Sequence, residues 1–370
     1  MNRRETERLL EAIRGVRASG ERAALATIVR VKGSAYRREG ARILVREDGS
    51  YECVLSGGCL EPAVAEAAAR VILTGTPLTA RYDLEDDSVW SLGIGCSGAV
   101  DILIERLEWD ALDTAWFLLL ERGDEAVVLV KPLSGASGRL LVRAHETAGT
   151  LGDAALDREA ADRARARLQS RFPASGAERI GEAELFFDLS VPPPGLVVFG
   201  AGHDATPLAE HAWELGFDVT IVDVRDTFLT TDRFPHASLV SSHFSRFHEA
   251  VRLTGRSFVV IMNHHLERDR ECLRFALGSE APYIGVLGPR SRYEKLIRGL
   301  KDEGAPLPPG ALARVRSPVG LALGAEVPEE IAVSILGEIV AVQRGFDAGF
   351  LTGRETGLHR PVESSALARS

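Results

Sequence analysis

At 370 residues the chain has room for two or three domains, with cores large enough to need no staples. Its 45% hydrophobic and 26% charged composition is that of a globular protein, not of a disordered chain. A formal net charge of −9 argues against a nucleic-acid-binding surface. It leaves room for anionic ligands, because backbone amides at a helix start bind phosphate without net positive charge.

The opening residues MNRRETERLL contain no apolar core of signal-peptide length, and the chain holds no run of about 18 apolar residues. A cytoplasmic protein with neither a membrane nor a nucleic-acid partner is therefore expected. Cys53, Cys59, Cys96 and Cys272 form no CxxC pair and no zinc-type grid with histidine, so reduced thiols are expected.

In chain order, Leu9, Leu10, Ile13 and Val16 share one face of a helix over residues 4–18. Residues 23–31 read as a strand. Residues 42–46 and 51–55 read as a hairpin around Asp48-Gly49. A polar turn with Arg37 and Arg38 precedes it, and an alanine-rich helix over 60–74 follows. A strand is predicted over 100–104. Between 111 and 190 only fragments are legible: strands at 126–130, 139–142 and 183–188, and a charged helix at 157–169. The stiff run Pro192-Pro193-Pro194 marks the boundary between a domain over 1–190 and one over 195–345, with a flexible tail after it. Beyond the prolines, strands at 196–199, 219–222, 238–240, 258–262 and 283–286 alternate with helical stretches. That alternation is the signature of a parallel sheet with crossover helices. The last helix opens at Pro328-Glu329-Glu330, with Ile331, Ile335 and Ile339 as its buried stripe. The expected fold is α/β: an N-terminal α/β domain followed by a Rossmann-like, doubly wound parallel sheet.

Gly200-Ala201-Gly202-His203-Asp204-Ala205 fits G-x-G-x-x-A between a strand and a helix. The first glycine permits the tight turn, the second lets a diphosphate approach the backbone, and Ala205 lets helix and strand pack closely. Asp223, at the end of the next strand, is placed to accept from a ribose hydroxyl. Gly200, Gly202, His203, Asp204 and Asp223 are thus candidate cofactor-binding residues, with NAD or another nucleotide as the ligand. Arg225, two residues on, blurs the choice between NAD and NADP. His264 and His265 end the strand at 258–262, on the carboxyl edge where such sheets bind ligands. Adjacent side chains there point apart, so His264 is taken as a substrate or cofactor contact rather than half of a metal pair.

Cys59 lies in Ser56-Gly57-Gly58-Cys59 and Cys96 in Gly93-Ile94-Gly95-Cys96-Ser97-Gly98. Glycine-flanked turns expose amides and let a bulky ligand close to the chain. A helix start beside Cys59 favours thiolate, the form that attacks sulfur and binds soft metals. Gly57, Gly58, Cys59, Gly95 and Cys96 are candidate cofactor-binding residues. Cys59 and Cys96 are also candidate reactive thiols or soft-metal contacts. The plainer alternative is two small core residues, the role assigned to Cys53 and Cys272.

Taken in order, these segments resemble the XdhC/CoxI family of accessory proteins for molybdenum hydroxylases. The resemblance runs through Gly33-Ser34, Gly40-Ala41-Arg42, Leu55 to Glu61 and Gly93 to Gly98. In the second half it takes in Val198 to Ala205, Val222 to Arg225, Arg233-Phe234-Pro235, Tyr283 to Arg290, Ser317 to Leu321 and Pro328 to Ala332. One departure is Asn263-His264 where relatives carry Thr-His, which removes a hydroxyl but keeps a hydrogen-bonding side chain.

The resemblance implies a factor that binds molybdenum cofactor (molybdopterin), with Cys59 and Cys96 as candidate molybdenum contacts, and supports its sulfuration by a cysteine desulfurase. It then passes the cofactor to a xanthine or CO dehydrogenase-type hydroxylase. No turnover of its own is expected, and self-association as a homodimer is left open. Two rival readings stand beside it: an NAD-dependent oxidoreductase, favoured by Asp223 but lacking an acid–base set beside the turn, and a non-catalytic adaptor between hydroxylase and desulfurase.

Overall fold

The computed structural model describes residues 1–84, 98–305 and 308–352, and the chain falls into two compact units, 3–192 and 193–349. The first unit runs α1 (Arg3–Ser19), β1 (Ala23–Gly33), β2 (Arg42–Arg46), β3 (Tyr51–Glu52), α2 (Glu61–Thr74), β4 (Leu78–Asp83) and β5 (Gly98–Arg106). It continues with α3 (Ala111–Arg122), β6 (Val127–Ser134), β7 (Arg139–Val142), β8 (Thr147–Thr150), α4 (Ala154–Gln169), β9 (Gly176–Ile180) and β10 (Ala183–Ser190). The strands form two antiparallel five-stranded sheets, ordered β3-β2-β1-β5-β4 and β8-β7-β6-β10-β9.

Side-chain alternation explains the layering. On β1, Ala24, Ala26 and Ile28 face the core under α2, while Ala23 and Leu25 face a second core shared with α1, α3 and strand β6. On β6, Val127 and Leu129 join that shared core, and Val128 and Val130 face α4. The stretch 111–190 thus builds the whole second sheet together with α3 and α4. Helix α3 is hard to read in sequence because it buries Trp116, Phe117 and Leu119 yet exposes Leu118, which blurs its stripe.

Charged residues lie in the layer between the sheets. Arg42, Lys131 and Asp188 are each 3% exposed or less. Arg42 pairs with Asp188, and Lys131 Nζ lies 2.8 Å from Glu105 Oε2 and 3.6 Å from Asp188 Oδ2. The Trp116 ring lies 5.0 Å from the Arg42 guanidinium and 5.1 Å from Lys131 Nζ, so both cations also meet an aromatic face.

The second unit runs β11 (Gly195–Phe199), α5 (Ala205–Glu214), β12 (Asp218–Asp223), β13 (Ala237–Ser241), α6 (Phe247–Ala250) and β14 (Ser257–Ile261). It ends with α7 (Leu266–Leu277), β15 (Tyr283–Val286), α8 (Arg290–Asp302), β16 (Val315–Arg316) and α9 (Pro328–Arg344). Its six strands are all parallel, in the order β13-β12-β11-β14-β15-β16. Leu196 and Val198 face a core with α5 and α9, while Val197 and Phe199 face one with α7 and α8. This is the doubly wound Rossmann arrangement. The strand order reverses between β11 and β14, so the ligand crevice of such a fold lies at their carboxyl ends. Among the described residues no helix is long and apolar enough to cross a membrane.

The cluster between the sheets makes a stability prediction. Asp188→Ala leaves Arg42 and Lys131 buried without their shared carboxylate and should destabilise the first unit by about 3–5 kcal/mol. Urea denaturation followed by tryptophan fluorescence checks this. A loss below about 1 kcal/mol, the range of a surface pair, would contradict it.

Candidate functional site

The two regions singled out by sequence each sit at a helix start. In the first unit Ser56 is the hub. Its hydroxyl donates to Glu61 Oε2 at 2.5 Å and accepts from the amides of Gly58, Cys59 and Leu60 at 3.1–3.2 Å. The Cys59 thiol faces the same oxygen at 3.2 Å. Glu61 is fully buried, and its Oε1 accepts from the amides of Leu55 and Ser56, each at 2.8 Å. Burial pushes the Glu61 carboxyl up, but the Ser56 hydroxyl and these amides outweigh it and hold the carboxyl below its ordinary value. An ionised carboxylate at the first position of α2 also suits the positive end of the helix.

The turn is therefore rigid behind and open in front. A side chain added at Gly57 or Gly58 would meet nothing within 4 Å, and Gly58 has φ +106°. Cys59 is half-buried. Gly95 and Cys96 lie outside the described residues. Cys53, expected within a strand, lies instead just past β3, half-buried, with φ +70°. Cys272 is fully buried on α7, and burial pushes its thiol well above the ordinary range.

At the Rossmann edge, Gly200 leaves β11 with φ +115°. A Cβ there would lie 2.6 Å from the Met262 carbonyl oxygen at the end of β14, so the position admits only glycine. Asp223 is buried, and its carboxylate accepts from the Ala201 amide, the Arg225 amide, and Arg225 Nε and Nη2, all at 2.7–2.9 Å. Those four donors use all four lone-pair positions of a carboxylate. Burial raises the Asp223 carboxyl, but the Arg225 side chain and the two amides prevail and hold it below its ordinary value.

Arg233 fixes the glycine turn from the other side. Its guanidinium donates to the carbonyl oxygens of Ala201, Gly202 and Phe228 at 2.8–2.9 Å. His203 is exposed. Asp204 precedes α5, but its carboxylate makes no cap bond; it accepts from His264 Nε2 at 2.9 Å. His264 has φ +56°, a left-handed conformation that side chains seldom adopt. His265 instead caps α7 through its ring nitrogen. Asn263 donates inward, to Asp269 Oδ1 and Cys272 Sγ, and buried Asp269 also receives Arg292.

Ser56, Glu61, Arg233 and Asp269 carry roles that the sequence pattern did not announce. The spacing of Ser56 and Glu61, five residues with Leu60 at the N-cap, is not that of a capping box, so no local motif marks the first pair. Arg233 and Asp269 act on loops distant in sequence, which no local pattern reveals.

The Rossmann edge can be tested in two ways. Gly200→Ala forces a Cβ against β14 in an unfavourable backbone region, and should cost about 1–3 kcal/mol or more, read as a lower urea midpoint. Asp223 has a depressed folded pKa, so its stabilising contribution is complete above about pH 4 and is lost as pH falls through the folded value. Asp223→Asn should lower stability at neutral pH and flatten the acid-side fall of the melting temperature; a pH profile parallel to that of the parent would refute this.

Comparison with known proteins matches both regions. Residues 196–339 match the XdhC Rossmann domain, and residues 16–83 match the XdhC and CoxI family. The chain is 32% identical over 332 residues to a probable xanthine dehydrogenase subunit of Bacillus subtilis, covering 88% of this chain and 94% of that protein. It is 24% identical over 327 residues to the molybdenum cofactor insertion chaperone PaoD of Escherichia coli, covering 88% and 85%. A crystal structure of a xanthine dehydrogenase from Bacillus halodurans superposes with a TM-score of 0.75 at 30% identity, over 91% of this chain and 96% of that one. Identity at this level across almost the whole of such a relative places the chain in the XdhC and CoxI family.

Proposed function

We propose that the chain is a maturation factor that holds molybdenum cofactor as cargo, supports its sulfuration by a cysteine desulfurase, and inserts it into a xanthine or CO dehydrogenase-type hydroxylase. The observation that carries this reading is the match, across both units, to relatives that include a molybdenum cofactor insertion chaperone.

The N-terminal turn supports it chemically. Cys59 presents a soft sulfur beside Gly57 and Gly58, whose missing side chains leave open space for a bulky ligand. In this reading Cys59, with Gly95 and Cys96, meets the sulfur-and-metal end of the cargo. His203, Asp204 and His264 form a second candidate surface, on a turn shaped by Gly200, Gly202 and the buried Asp223. There Asp204 offers a carboxylate suited to the N–H groups of a pterin ring.

The test is co-expression with a client hydroxylase, followed by release and fluorescence of the pterin and assay of the client. Cys59→Ala combined with Cys96→Ala should cut cargo retention and client activation by at least about tenfold, equivalent to about 1.4 kcal/mol of binding. Full activation by the double variant would remove the thiols from the mechanism. Client activation without any pterin on the purified factor would favour the adaptor reading.

A further inference from the structure

The customary ligand of a Rossmann turn is a dinucleotide, and the second glycine of the turn lacks a side chain so that the diphosphate can approach the backbone. Here that space is filled from within. A Cβ at Gly202 would lie 2.5 Å from Asp204 Oδ1, and the nearest atom of His264 is 4.0 Å away. The other carboxylate oxygen of Asp204 is held by His264 Nε2 at 2.9 Å, and a carboxylate can only accept, so that ring nitrogen carries the proton. His264 keeps this pose in spite of its left-handed backbone, φ +56°. The other mark of a dinucleotide site is closed as well. Asp223, which would accept from the ribose, already has four donors from Arg225 and the Ala201 amide.

We propose that Asp204 is the specificity-determining residue that excludes dinucleotides from this turn: its carboxylate, pinned across Gly202 by His264, occupies the place of the diphosphate with charge of the same sign. The exclusion is both steric and electrostatic. A diphosphate would have to displace a group already filling the glycine gap, and would approach an ionised carboxylate in a partly buried setting, where like charges are poorly screened.

The two contributions separate by substitution in the full-length protein. Asp204→Asn keeps the shape and removes the charge, while Asp204→Ser also empties the gap and leaves a hydroxyl donor of the kind that binds phosphate. The probes are NAD and ADP, titrated by calorimetry, with the thermal midpoint as a check on folding. The parent protein should give no saturable binding at millimolar ligand. Asp204→Ser should gain at least about tenfold in affinity for both probes, and Asp204→Asn a smaller gain. Micromolar binding of NAD or ADP by the parent would overturn the proposal. So would indifference of both variants to the probes when their thermal midpoints match that of the parent. If Asp204→Ser fails to fold, the isosteric Asp204→Asn decides: a gain supports exclusion by charge, and none refutes it.

Discussion

The geometry of the second unit turns on the approach of Gly200 to the end of β14. The Gly200 amide donates to Val222 O at 2.8 Å, and the Met262 amide donates to Phe199 O at 2.8 Å, so the adjacent residues Phe199 and Gly200 tie the end of β11 to the ends of β14 and β12. The turn can cross there only because Gly200 has no Cβ to meet the Met262 carbonyl. Everything at the carboxyl edge inherits its position from that crossing. Ala201 reaches the Asp223 carboxylate, Arg233 reaches the carbonyls of Ala201 and Gly202, and Asp204 reaches His264.

The parallel sheet was legible because its signals are local. Most of its strands are short apolar runs followed by a helix, and the glycine turn between β11 and α5 has few other uses, whereas the two-residue β16 (Val315–Arg316) carries no such pattern and is not predicted. The first unit was harder to read. Strand β8 is exposed along its whole length, β9 has only Ile180 fully buried, and neither carries the alternation that marks a half-buried strand. The site residues divide in the same way. Glycines and cysteines announce themselves, whereas Ser56, Glu61 and Arg233 matter for what they hold, and that appears only when the loops are folded. Asp204 is the instructive case: its sequence position suggests a helix-start ligand contact, but its side chain turns back across the glycine turn instead of capping the helix.

The layer between the two antiparallel sheets shows why pattern reading also underestimates charge. Arg42, Lys131 and Asp188 occupy inward positions of their strands, in register with apolar neighbours such as Leu44, Leu129 and Phe186. In sequence they read as interruptions of a strand or as its solvent face. Their burial is tolerable because each cation meets a carboxylate and the ring of Trp116. An apolar layer of the same volume would satisfy the hydrophobic effect equally well, but it would impose no particular pairing of one sheet upon the other. Buried polar groups confer that kind of specificity in some folds, because a slipped arrangement leaves charges unpaired.

The two candidate turns answer the same electrostatic problem in related ways. A helix start carries unpaired amides and partial positive charge, and it is commonly filled by an anion from outside. At α2 the amides of Gly58, Cys59 and Leu60 converge on the Ser56 hydroxyl, whose proton is held by the buried carboxylate of Glu61. At α5 the carboxylate of Asp204 stands beside the turn and is held there by His264. In both places the protein supplies its own negative charge. A phosphate arriving at α2 therefore finds the amides of the turn already donating to Ser56, and one arriving at α5 meets the Asp204 carboxylate. What each turn leaves accessible is of another kind: a thiol at Cys59, and an acceptor oxygen with an imidazole at Asp204 and His264. Groups that complement those surfaces are soft metal or sulfur centres and hydrogen-bond-donating ring edges, so the glycine turns of this chain select against the ligand that glycine turns usually serve.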